Sequence, residues 1–275
     1  MNPILIAFVV VTAAGLAAGI ILSLVSHFFG VEEDPKVKQV RACLPGINCG
    51  ACGFKNCDDY AANICHSNTA PNLCIPGGND AAQEIGKSVG VEAQSIRHMV
   101  AFVHCNGHCE ATTKKNLYQG ISNCKAAAAI YGGPDACRFG CLGFGDCSLA
   151  CPAEAICMKD GIAHVDASLC LGCGMCTTVC PKHVITMVPE KANIAVMCSN
   201  GNKGADARAA CVNACIGCRK CEKFCSEGAI SVKNNLAVID YTKCVGCGTC
   251  VEGCPDHALK KVFFPALKPK AKVEK

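Results

Sequence analysis

The chemistry in this chain is carried by its cysteines. Twenty-eight stand among 275 residues, well above ordinary usage. Three stretches repeat one spacing, C-x2-C-x2-C-x3-C: Cys170, Cys173, Cys176 and Cys180; Cys215, Cys218, Cys221 and Cys225; Cys244, Cys247, Cys250 and Cys254. A fourth, wider stretch holds Cys137, Cys141, Cys147 and Cys151. So many thiols either pair as disulfides in an oxidising compartment or bind metal in a reducing one. A disulfide scaffold has no reason to repeat a fixed spacing. Four thiolates per set are what a [4Fe–4S] cluster takes.

In bacterial ferredoxin runs the fourth cysteine ligates the other cluster of the pair. Crossed ligation predicts four clusters. One is held by Cys137, Cys141, Cys147 and Cys180, and a second by Cys170, Cys173, Cys176 and Cys151. A third takes Cys215, Cys218, Cys221 and Cys254, and a fourth Cys244, Cys247, Cys250 and Cys225. Two positions depart from the pattern. Ser226 follows Cys225 where proline is expected, so that loop loses the fixed φ that proline supplies. In the wide run, aligning Cys137, Cys141 and Cys147 on Cys211, Cys215 and Cys221 puts Phe144 where Cys218 stands. Cys137 is therefore taken as the substitute for the missing middle ligand, and Cys211 is left over. The alignment continues upstream, where VHCNG and VMCSN pair Cys105 with Cys198, so one module is duplicated. Cys157, Cys198 and Cys211 read as buried thiols or as members of a further cluster.

Nearer the N-terminus the spacing is Cys49-x2-Cys52-x4-Cys57-x16-Cys74, with Gly50 and Gly53 behind two of the thiols. Glycine lets backbone fold closely around an inorganic core and aim N–H groups at it. Zinc also takes four thiolates, but this knuckle with a lone distant cysteine does not make the paired knuckles of a zinc ribbon. The expected total is five [4Fe–4S] clusters. Cys105, Cys109 and Cys124 remain as three candidates for an additional sixth cluster without an evident fourth thiol. Cys43, Cys65, His104 and His108 read as structural residues.

The elements that position these loops are short. AEAICMKDGIAHVD reads as a short helix, a strand, an Asp160-Gly161 turn and a second strand; EGAISVKNNLAVID repeats the plan around Asn234-Asn235. From Asn79 to Phe102 the apolar spacing predicts helices, with Ala82, Ile85 and Val89 on one face and Ile96, Val100 and Val103 on another. Tryptophan is absent and aromatics make up 5%, so metal binding must contribute to holding the fold.

From Ile4 to Phe29 there is no charged residue, enough for a helix to cross the hydrocarbon core. A cleaved signal would carry a basic leader and a shorter apolar run; Met1-Asn2-Pro3 has no basic residue. Lys36, Lys38 and Arg41 follow the span, which predicts a single-pass anchor in the cell membrane with the N-terminus outside and the cysteines in the cytoplasm. Gly15 and Gly19 offer a small-residue face for docking against other membrane subunits. The net charge is +4, and six lysines and one glutamate from Lys260 onward account for +5 of it. That basic tail reads as a solvated end, or as a contact for acidic partners or anionic head groups.

A Cys49-x2-Cys52-x4-Cys57-x16-Cys74 motif behind one membrane helix resembles the B subunit of Rnf complexes, in a form with an added ferredoxin unit, over residues 1–260. The resemblance implies an electron-transfer subunit of an ion-translocating ferredoxin:NAD+ oxidoreductase. Its partners would be soluble ferredoxin, other membrane and NAD-reducing subunits, and membrane lipid. The organisation expected is an anchor over 1–30, a linker over 31–39, and a small α-rich [4Fe–4S] domain over 40–78. A helical linking segment over 79–130 follows, then α+β bacterial 2[4Fe–4S] ferredoxin-like units in tandem over 131–190 and 191–262, and a basic tail over 263–275. No catalytic residue is evident. No dinucleotide fingerprint, P-loop or flavin signature is visible, and no feature indicates nucleic acid. The chain alone therefore moves electrons without hydride chemistry. The competing reading is a membrane-tethered polyferredoxin serving a hydrogenase or other reductase, without ion pumping.

Overall fold

The computed structural model describes residues 3–28 and 34–265; the end of the anchor, the start of the linker and residues 266–275 of the basic tail lie outside them. Helix α1 spans Pro3–Phe28. Its stretch Pro3–Val25 is the one segment among the described residues long and apolar enough to cross a membrane. Its described side chains are exposed rather than packed on the rest of the chain, unlike those of a soluble core helix.

A small helical body follows. Helix α2 (Pro35–Cys43) starts where Asp34 accepts the Lys36 N–H at 2.9 Å and Pro35 opens the first turn. The expected linker is thus helical from Pro35. Helix α3 (Cys57–Ser67) is capped by Asn56, whose side chain accepts the Asp59 N–H. Helix α4 (Gly78–Val89) stops at Gly90, which takes the left-handed φ of +74° that ends a helix cheaply. Val40, Tyr60, Ala61, Ile64 and Ile85 form the shared core.

The remainder is one plan built twice. The first copy runs β1 (Met99–Val103), α5 (Cys124–Ala129), α6 (Asp146–Leu149), β2 (Ile156–Lys159), β3 (Ile162–Val165), α7 (Met175–Val179) and β4 (Ile185–Pro189). The second runs β5 (Ile194–Val196), α8 (Gly204–Ala210), α9 (Lys220–Phe224), β6 (Ile230–Lys233), β7 (Leu236–Ile239), α10 (Thr249–Glu252) and β8 (Leu259–Lys261). In each copy the outer strands pair antiparallel, Val103 opposite Ile185 and Val196 opposite Leu259. The inner hairpins pair Ile156 with Val165 and Ile230 with Ile239. Their turns hold two successive positive φ values, +51° and +80° at Asp160-Gly161 and +49° and +63° at Asn234-Asn235. This is the backbone that Asp-Gly and Asn-Asn tolerate best.

Two local expectations are corrected. Met99–Val103 is a strand, not the second helix of a linking segment. Its Val, Phe and Val residues fit a pleated, half-buried surface, and pairing with β4 outweighs the helical spacing. That strand belongs to the first ferredoxin copy, while α4 packs on the N-terminal body. The expected helix after Cys151-Pro152 is only a turn leading into β2. Each copy has its own core, around Val100, Ile156, Ile162 and Val184 in one and Ile194, Val196, Ile230 and Leu259 in the other. Phe264, just beyond β8, reaches back to the first core and meets the Phe102 ring edge-on at 6.2 Å.

Candidate metal centres

The N-terminal body gathers Cys49, Cys52, Cys57 and Cys74. Burial pushes the Cys74 thiol up to about 11, with the nearby Cys57, Cys49 and Cys52 thiols adding to the shift. The loop turns through positive φ at Asn48, Gly50 and Gly53, and the Asn48 side chain accepts the Cys57 N–H at 2.9 Å. Cys74 arrives on a separate loop pinned by Tyr60. The Tyr60 hydroxyl donates to the Ala70 carbonyl at 2.8 Å and accepts the Leu73 N–H at 3.1 Å. Its phenol stays a donor, since burial pushes it up to about 12. Tyr60→Phe should strip both partners in a buried setting and cost about 1–3 kcal/mol. The expected result is faster loss of visible cluster absorption in denaturant than in the parent chain; equal loss would remove Tyr60 from this role.

In the ferredoxin copies the crossed sets come together for three of the four pairs. Cys176 is coupled electrostatically to Cys170, Cys173 and Cys151, Cys221 to Cys215, Cys218 and Cys254, and Cys250 to Cys225, Cys244 and Cys247. Backbone donors point at the crossing sulfurs: the Ala155 N–H at Cys151 Sγ and, at the equivalent place, the Ala229 N–H at Cys225 Sγ, both at 3.3 Å. The Ala101 N–H lies 3.5 Å from Cys170 Sγ.

The fourth set differs from the sequence expectation. The thiol of Cys147, which burial pushes up to about 12, sits among Cys141, Cys124 and Cys180. Cys124, not Cys137, fills the place left by Phe144. The cause lies in Asp146: its carboxylate accepts the Cys124 N–H at 2.9 Å and the Lys125 N–H at 3.2 Å. That draws the N-terminus of α5 onto the loop. Cys109 joins neither this set nor any other; its thiol is exposed, and its N–H bonds to the Asp160 carbonyl of the hairpin turn.

Cys137 belongs elsewhere. Together with Cys105, Cys198 and Cys211 it lines a pocket at the seam between the two copies, and all four residues are buried. Two thiols come from each copy, at the positions that the internal alignment pairs. Gly107 donates to Cys105 Sγ at 3.4 Å, and the Asn200 backbone N–H donates to Cys198 Sγ at 3.3 Å. The Asn200 side-chain amide, 1% exposed, also points at Cys137 Sγ at 3.7 Å. The seam is stitched by Thr112 Oγ1 to the Ala210 carbonyl, Ser199 Oγ to the His104 carbonyl and Asn213 Nδ2 to the Asn106 carbonyl. Expectations of spare status for Cys198 and Cys211, and of a set made from Cys105, Cys109 and Cys124, are both replaced by this grouping. The signal was present in the paired VHCNG and VMCSN segments. Cys157, expected to be a buried thiol, is exposed.

The donor chemistry of these pockets indicates which metal they suit. Sets of four thiols line three separate pockets: one at the seam, one among Cys215, Cys218, Cys221 and Cys254, and one among Cys225, Cys244, Cys247 and Cys250. Four thiols per pocket are the donor set that an iron–sulfur core takes.

Comparison with known proteins agrees. A family model described as "Putative Fe-S cluster" matches residues 44–76, a "4Fe-4S binding domain" residues 162–185 and a "4Fe-4S dicluster domain" residues 214–258. The B subunit of the Na(+)-translocating ferredoxin:NAD(+) oxidoreductase complex of Acetobacterium woodii is 43% identical over 93% of this chain and 77% of its own length. The proton-translocating counterpart of Clostridium ljungdahlii is 41% identical over 95% and 94%. The B subunit of the ion-translocating oxidoreductase complex of Methanosarcina acetivorans is 39% identical over 94% and 99%.

Proposed function

Because the chain belongs to the B-subunit family of ion-translocating ferredoxin:NAD(+) oxidoreductase complexes, we propose that it accepts electrons from reduced ferredoxin and relays them to membrane and NAD+-reducing partner subunits. Bound [4Fe–4S] clusters supply the one-electron chemistry. The chain supplies six sets of four thiols to hold them: Cys49, Cys52, Cys57 and Cys74; Cys151, Cys170, Cys173 and Cys176; Cys124, Cys141, Cys147 and Cys180; Cys105, Cys137, Cys198 and Cys211; Cys215, Cys218, Cys221 and Cys254; and Cys225, Cys244, Cys247 and Cys250.

The observation that carries this reading is that the sets follow one another in a single line. Cys49 of the N-terminal body is coupled to Cys173. Cys176 is coupled to Cys147. The Cys141 N–H donates to Cys105 Sγ at 3.3 Å, and Cys198 is coupled to Cys215. Helices α9 and α10 then pack together and join the last two sets. One end of the line lies in the body that follows the anchor in sequence and the other lies in the second copy. The seam set is the bridge between copies, which gives a reason for four buried thiols at that seam. With Lys36, Lys38 and Arg41 behind the span, the cysteines face the cytoplasm, where reduced ferredoxin is found, and the helix lies in lipid.

Anaerobic iron and acid-labile sulfide analysis of the full chain in detergent tests the reading. About 24 irons are expected, four per set, together with bleaching of the whole visible band by reduced ferredoxin. A count near eight would exclude the paired ferredoxin sets. Failure of ferredoxin to bleach the band would instead favour a polyferredoxin serving another reductase.

A further inference from the structure

We infer that the loop Val245-Gly246-Cys247 at the far end of the line is the face on which a small iron–sulfur protein docks. This rests on the electron-relay reading above. The duplicated plan supplies the argument, because the chain itself covers the equivalent loop of the first copy.

Cys170, Cys173, Cys176 and Cys180 correspond to Cys244, Cys247, Cys250 and Cys254. In the first copy the loop Leu171-Gly172-Cys173 is occupied. Leu171 is 8% exposed. A Cβ on Gly172 would stand 3.3 Å from Ile75 of the N-terminal body, and Cys173 is coupled to Cys49 of the same body. A single-cluster domain thus sits on this loop and brings its own thiols beside Cys173.

In the second copy Asn193 lies against Gly246 of the same loop, but among the described residues no second iron–sulfur body covers it. Val245, at the Leu171 position, is 66% exposed, and the counterpart of half-buried Cys173, Cys247, is exposed. The backbone is the same on both, with positive φ at Gly172 and Gly174 and at Gly246 and Gly248. What fits the first loop is a compact iron–sulfur body that places an apolar side chain, Ile75, beside the loop glycine. The charge around the second loop is balanced, with Glu227 lining the same pocket. Lys243 and Lys261 flank it with mostly exposed side chains, and Lys261 lies against Gly248. Their acidic neighbours are Asp240 at 4.0 Å and Glu252 at 3.2 Å; Asp240 is also held by the Thr242 N–H at 3.0 Å and the Thr242 hydroxyl at 2.6 Å.

The test uses the full chain in detergent and an oxidised two-cluster bacterial ferredoxin. Its Kd is measured by calorimetry, and the rate of reduction by the reduced ferredoxin by stopped flow. Val245→Glu should weaken binding at least tenfold and slow reduction in proportion. Val245→Ala should weaken it several-fold. Iron content and the rate of reduction by methyl viologen radical should stay at the parental values. Leu117→Glu, an exposed apolar position on the first copy, should change nothing. Unchanged affinity in Val245→Glu overturns the docking face, as does a loss confined to Leu117→Glu. Dimerisation abolished by Val245→Glu without change in ferredoxin affinity assigns the face to a second copy and also overturns it. No binding or reduction of the parent chain by ferredoxin defeats the relay reading itself, a separate outcome.

Discussion

Replacing Cys137 or Cys198 with serine should lower the iron content from about 24 to about 20 per chain and stop electrons from crossing between the two ferredoxin copies. The two residues lie in different copies, yet both line the same pocket with Cys105 and Cys211. Either change should therefore give the same deficit, and the double variant no more than the single. This non-additivity is the signature of one shared set. Titration with reduced ferredoxin should still bleach the absorption belonging to the second copy. Sets in the N-terminal body and the first copy should follow only at the background rate. Small diffusible reductants should reach both halves, which separates a broken line from an unfolded chain. The alternative ligand set, with Cys137 serving Cys141, Cys147 and Cys180, expects a deficit for Cys137→Ser and none for Cys198→Ser.

The second large effect concerns Cys124 and Cys109. Cys124→Ser should remove about four irons and the matching EPR signal, whereas Cys109→Ser should remove none. The two lie in one stretch of chain, but only one is drawn to a loop. Asp146 fixes the α5 N-terminus by taking two backbone N–H groups, and the Cys124 thiol is raised by burial among its neighbours. Asp146→Asn keeps the shape and weakens the hydrogen bonds, so partial occupancy of that set is expected. Full iron in Cys124→Ser would return the fourth ligand to another cysteine.

Much of this is legible in the spacing. The anchor follows from an uncharged apolar run, and the hairpins from Asp160-Gly161 and Asn234-Asn235 between alternating residues. The crossed sets at Cys176, Cys221 and Cys250 follow from runs that place three thiols on one tight loop. Spacing alone misplaces the positions where a thiol is recruited from far along the chain. Phe144 interrupts its run, and proximity in sequence favours Cys137 as the replacement. The choice belongs to Asp146, whose reach to α5 has no local spacing signal. Met99–Val103 is misplaced for a similar reason: its partner strand lies beyond two cluster loops.

The chemistry of this protein was settled by the types and spacing of its cysteines, together with the uncharged run ahead of them. Local loops hold most of their own ligands, and local geometry is written in local sequence. The tertiary structure decided the partners of Cys105, Cys124, Cys137, Cys198 and Cys211. It also decided the linear succession of the sets and which loop of the duplicated plan is covered. These depend on how the two copies pack across a hydrogen-bonded seam. Packing between distant segments is fixed by side-chain and backbone complementarity in space, which no single spacing along the chain encodes.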